Sequence, residues 1–118
     1  MTKSEIAQAF SNGDFDKCFE YLTDNTIWNT PGEQLLTGKQ EIETFCKSIS
    51  NYFDSVTTNF QQLNVIENTN CVAINGTAEF IRDGKSISFV SSCDVYVFHK
   101  NHSIKSITSY CITERPTV

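Results

Sequence analysis

Ile6, Ala7 and Phe10 fall on one face of a helix and Ser11-Asn12-Gly13 breaks the segment, so the spacing predicts a short helix over roughly the first ten residues. Phe15, Cys18, Phe19 and Leu22 repeat at the same spacing behind Asp14, whose carboxylate suits the positive end of a helix dipole; this predicts a second helix from about residue 14 to 24. Thr26-Ile27-Trp28-Asn29-Thr30 is β-branched and aromatic and stops at Pro31-Gly32, which reads as a short strand and a turn. Thr37-Gly38-Lys39-Gln40 has the form of a capping box, and Ile42, Phe45, Cys46, Ile49 and Phe53 follow on one stripe, predicting the longest helix.

The period then changes to two. Val72, Ile74, Gly76, Ala78 and Phe80 share one side of an extended segment, while Cys71, Ala73, Asn75, Thr77, Glu79 and Ile81 share the other. Asp83-Gly84 is a type I′ hairpin signal, since both central residues of that turn need positive φ. The returning strand runs from Ser86 to Phe98, and a tight turn through Lys100-Asn101-His102 leads to a last strand from Ile104 to Ile112. Helices followed by a run of antiparallel strands predict an α+β fold with the helices gathered on one face. Val90, Tyr96 and Phe98 face one way on the long strand and Phe89, Val95 and Val97 the other, so both sheet faces need cover. Three helices cover one; a second copy of the chain covers the other, which predicts a homodimer through the sheet face.

Composition narrows the class. A chain of 118 residues, 39% hydrophobic and 12% aromatic, is expected to form one domain over residues 1–118. No stretch approaches the roughly 20 apolar residues that span a bilayer, and the first residues lack the apolar core of a secretory signal, so no membrane is involved and a cytoplasmic location is expected. Cys18, Cys46, Cys71, Cys93 and Cys111 are far apart and odd in number, which argues against a disulfide framework or a zinc site and for buried small hydrophobes. A net charge of -5 with scattered Lys and Arg excludes nucleic acid as a natural partner. His99 and His102 flank a turn without a third ligand, so no metal is expected; with no Walker, GxSxG or dinucleotide glycine motif, neither is a cofactor or a covalent hydrolase. Thr113 to Val118 reads as a frayed tail.

Four pieces in order carry a family resemblance: Asn12-Gly13-Asp14-Phe15, then Leu22-Thr23-Asp24-Asn25-Thr26-Ile27-Trp28, then Gly38-Lys39-Gln40-Glu41-Ile42, then Asp94-Val95-Tyr96-Val97-Phe98 with Ile104 to Tyr110. Over nearly its whole length the chain resembles the nuclear transport factor 2-like and SnoaL-like domains, which include ketosteroid isomerases, limonene epoxide hydrolase and polyketide cyclases. The resemblance implies a conical α+β barrel, with three N-terminal helices on a strongly curved antiparallel sheet, an internal pocket and commonly a dimer. It implies less about chemistry, because one fold hosts many activities.

Placed on this sequence, the isomerase base position falls at Thr30 and its helix tyrosine near Ile6, and neither residue can act in those roles. Asp94 stands where the family's sheet aspartate stands, in phase with Ser92, Tyr96 and Phe98. For the hydrolase set, Asn29 matches the asparagine but Ser109 replaces the second aspartate, and Arg82 sits at a hairpin tip suited to an exposed arginine. Asp94 is therefore the candidate catalytic residue. A carboxylate in an apolar strand must be hydrogen-bonded or protonated, and Tyr110, Ser92 or a threonine are the partners in reach along the sheet. Trp28, Thr30, Tyr96, Ser109 and Cys111 are the candidate pocket-lining residues. Tyr21, Phe45 and Phe53 are aromatics equally suited to plain core.

Three functions remain open: a binder of a small apolar ligand over a buried aspartate; an isomerase, cyclase or hydratase using Asp94 as acid or oxyanion donor; and a homodimeric interaction domain with a filled interior.

Overall fold

Thr2 opens the first helix with a capping box absent from the expectation above: its hydroxyl accepts from Glu5 N–H at 3.1 Å, and Glu5 Oε1 accepts from Thr2 N–H at 2.9 Å. The helix, α1 (Lys3–Ser11), buries Ile6, Ala7 and Phe10 as its spacing predicts. In this computed structural model, which describes residues 1–114, the second helical segment is a 3₁₀ helix, Phe15–Tyr21, shorter and tighter than the α-helix expected over residues 14 to 24. Asp14 makes no side-chain cap there, so nothing extends the segment beyond the residues its buried Phe15 and Cys18 hold down.

Strand β1 (Ile27–Thr30) turns into β2 (Gln34–Thr37), a strand not anticipated from sequence. Helix α2 (Lys39–Asp54) follows, but the capping box assigned to Thr37 and Gln40 does not form. Thr37 is still paired in β2, and Gly38 is the N-cap at φ 91, a backbone region that disfavours threonine. Glu41 instead reaches back to accept from Thr37 N–H at 3.3 Å.

Four long strands follow: β3 (Thr57–Glu67), β4 (Cys71–Arg82), β5 (Lys85–Phe98) and β6 (Ile104–Glu114). Asp83 and Gly84 take φ of 53° and 75°, as the hairpin signal requires. Strand β3 has no sequence signal because it is an edge strand, where polar residues such as Gln61, Gln62 and Asn64 are tolerated and useful. Thr113 and Glu114, expected in a frayed tail, pair with Val90 and Phe89 in the ladder; residues 115–118 lie outside the described part.

The six strands form one curved sheet in the order β2-β1-β6-β5-β4-β3, with the three helices on its concave side. It is not closed: β2 and β3 are free edges. It is antiparallel except where β1 runs parallel to β6, a pairing allowed because a long connection separates them. Register irregularities at Gln62/Asn64, Phe80/Ile81 and Val97/Phe98 add the local bends that a curved sheet needs. Tyr96, Ile6, Ile42, Ile104, Ile107 and Val72 are fully buried between helices and sheet. Among the described residues no helix is long and apolar enough to cross a membrane.

Candidate functional site

Alternation along β4, β5 and β6 puts Ile74, Asp94 and Ser109 side by side on the concave face, because they are direct register partners. Above them lies a cavity of about 250 Å³. Phe10 and Phe15 from the first two helices, Trp28 from β1, Phe45 and Phe53 from α2, and Phe80 from β4 form its aromatic wall. Phe10 meets Phe15 and Trp28 edge-on at 5.0 Å each, and Trp28 meets Phe45 at 5.5 Å, so the wall is braced ring against ring. The polar lining is Ser11, Thr30, Ser92, Asp94 and Ser109, with Glu33, Gln34 and Cys111 also on the lining.

Asp94 is held from the helix side. Ser11 Oγ donates to Asp94 Oδ2 at 2.8 Å, and the same oxygen lies 2.6 Å from the Tyr96 hydroxyl. From the sheet side, Trp28 Nε1 donates to Ser109 Oγ at 2.9 Å. Burial pushes the Asp94 carboxyl above its ordinary value, against the pull of hydrogen bonding to Ser109 and Ser11. Burial, and then the charge of Asp94, raise Tyr96 well above the usual phenol value, so its hydroxyl stays protonated.

Of the sequence candidates, Trp28, Thr30, Ser109 and Cys111 border the cavity together with Asp94. Tyr96 does not: it is fully buried behind the wall, edge-on to Phe10 at 6.1 Å, and reaches the carboxyl only through Ser11. Tyr110, expected as a partner for Asp94, stands opposite Cys93 on the convex face and is exposed. Asn29 alternates to the other side of β1 from Trp28 and Thr30. Arg82 is exposed at its hairpin and bonds Ser55 Oγ at 3.4 Å rather than a carboxylate. Ser11 was missed entirely. It lies 83 residues from Asp94 in sequence, at a helix end read only as a break, and no local pattern links the two.

Not every thiol is buried. Cys18 and Cys46 are, with burial raising each to about 12, while Cys71 and Cys93 are partly covered and Cys111 is exposed near the end of β6. His99 is exposed, whereas His102 is partly covered and its Nδ1 lies 3.1 Å from Met1 O. Among the described residues no group of three or more His, Cys, Asp or Glu is placed to hold a metal.

A larger open groove, about 670 Å³, runs between β2 and the start of α2. Glu41 there accepts from Thr37 N–H, Lys39 pairs with Glu43 at 3.9 Å and Asp24 is exposed, and the groove has no buried polar side chain aimed into it. The Asp94 cavity is the better candidate on chemistry despite its smaller size.

The match to the SnoaL-like domain family covers residues 4–107. The chain belongs to that family. An NTF2-like protein of unknown function from Cytophaga hutchinsonii is 38% identical, with a TM-score of 0.81 over 92% of this chain and 94% of that one. The epoxide hydrolase/cyclase-like enzyme SalBIII, of pyran ring formation in the polyether salinomycin, superposes with a TM-score of 0.71 at 17% identity over 93% of this chain and 90% of that one. An LEH-like epoxide hydrolase of M. tuberculosis gives 0.68 at 17%, over 89% and 75% respectively. At such identity these two enzymes share the fold with this SnoaL-like chain and nothing more specific. No curated protein matches the sequence.

Proposed function

We propose that this SnoaL-like domain binds a small, largely apolar molecule in the concave cavity, with the ligand's one polar group meeting Asp94. The observation that carries this reading is a largely buried carboxyl on the lining of a cavity that six aromatic rings also line. Ligand sites have that character, mostly apolar with a few placed polar groups, and about 250 Å³ suits a ligand of one or two rings. The sole tryptophan, Trp28, stands in the wall and reports occupancy by fluorescence. Titration with small cyclic alcohols and ketones is expected to change that signal saturably, and Val90→Phe, which enlarges a lining side chain, is expected to abolish the change while leaving the fold intact. Equal saturable binding by Val90→Phe contradicts the reading.

A second reading is favoured by the hydroxyls converging on the carboxyl: Asp94 moves a proton in an isomerase, cyclase or hydratase reaction. Asp94→Asn separates the two, since proton transfer is then lost while neutral ligands bind almost unchanged. We further propose that the domain works as a homodimer joined through the convex sheet face, and in the cytoplasm, where five unpaired thiols persist.

A further inference from the structure

The donors around Asp94 all point inward to it. An indole N–H can only donate, so Ser109 Oγ accepts from Trp28 and keeps its own hydrogen free to turn toward Asp94, its register partner, whose carboxyl it pulls down against burial. Ser11 donates to Asp94 Oδ2, so its oxygen takes the hydrogen of Tyr96, whose only hydrogen-bond partner among the described residues is Ser11. Tyr96 thus holds Ser11 on the carboxyl, and Trp28 holds Ser109 with its hydrogen available to the same group, a wiring that suits an acceptor carrying negative charge.

That charge has no counter-ion. Among the described residues no Lys, Arg or His lines the cavity, and its other acidic group, Glu33, has the same sign. The negative field extends along the lining, where the charges of Asp94 and Glu33 add to burial in raising the Cys111 thiol. Aromatic walls and a carboxylate together favour a cation, through ring quadrupoles and a charge-assisted hydrogen bond, and they disfavour a carboxylate or phosphate ligand.

We propose that the polar group meeting Asp94 is a protonated amine on a small hydrocarbon skeleton, the cation completing a buried carboxylate that the protein itself leaves unpaired. This rests on the cavity being a ligand site.

The titratable groups facing Asp94 are few. Tyr96 lies on its own strand, Cys111 on β6 and Glu33 after β1, while α1 and β4 approach it with Ser11, Ile74 and Gly76. Cys18 and Cys46 stand behind Tyr96 with their protons on throughout the useful range.

The test uses matched pairs, benzylamine with benzyl alcohol and cyclohexylmethylamine with cyclohexylmethanol, titrated calorimetrically into the whole protein. At pH 8 each amine is expected to bind about tenfold or more tightly than its alcohol, the margin of a charge-assisted over a neutral hydrogen bond. Amine affinity is expected to fall as pH is lowered through the raised pKa of Asp94, while alcohol affinity does not fall. In Asp94→Asn the amine is expected to lose its advantage; the pH series on the unaltered protein decides the matter without that variant. Alcohols binding as well as or better than amines overturns the amine proposal and leaves the cavity reading standing. Binding by neither class overturns both.

Discussion

Asp94 shows how far a single position can be read and where reading stops. Its phase on β5 follows from alternation, and that phase places it on the concave face. Its partners come from α1 and β6, and only folding brings Ser11 to it, so the sheet-borne Tyr110 looked plausible in sequence although its own phase turns it outward. Because the fold raises Asp94 above its ordinary value, the native state holds this proton more tightly than the unfolded chain does. The stability it contributes is therefore full below the ordinary carboxylate value and is lost as pH rises through the window up to the raised one. Urea denaturation across that window is expected to show the loss in the native sequence and not in Asp94→Asn; parallel curves contradict it. Ser109→Ala leaves the buried Trp28 N–H without its acceptor and is expected to cost about 1–3 kcal/mol, read from the denaturation midpoint, with no loss contradicting the network. Cys18 and Cys46, raised to about 12 by burial, are expected to resist alkylation in the native protein while Cys111 is modified, a pattern that peptide mass spectrometry resolves.

At the scale of elements, legibility followed the amount of apolar surface each one buries. Helix α2 and the hairpin of β4 and β5 were readable because a full stripe or a strict alternation had to meet the core. The 3₁₀ segment carries a helical spacing over too few residues to settle which helix it forms, and β2 and β3 are edges whose backbone pairing needs no apolar code. Gly76 belongs to this scale. A Cβ there would stand 2.5 Å from the backbone oxygen of Gln61, beside the bulge in β3, so β3 and β4 can close only over a bare backbone. Gly76→Ala is expected to destabilise the protein by about 1–3 kcal/mol and to perturb β3 amides first in hydrogen exchange. An unchanged midpoint would show that β3 is not held as closely as described.

For the whole molecule, the fold was legible because the order of elements and the four sequence pieces agree, and the family match over residues 4–107 takes in nearly all of them. Closure was not legible: whether a curved sheet shuts depends on whether its two edges meet, and here β2 and β3 remain open. The convex face leaves Tyr110 54%, Ile112 68% and Ile66 68% exposed, apolar surface of the kind a second copy would cover. Sedimentation at micromolar concentration is expected to give a dimer, and Ile112→Lys a monomer with the cavity intact; a monomeric native protein contradicts that proposal. The central claim, that the concave cavity is a ligand site built around Asp94, is tested most directly by ¹H–¹⁵N NMR during titration with the amine and alcohol pairs. Saturable shifts are expected at the Trp28 indole and at the amides of Ser11, Asp94 and Ser109; shifts confined to the convex face or to the groove beside α2, or no shifts at all, rule the cavity out as the ligand site.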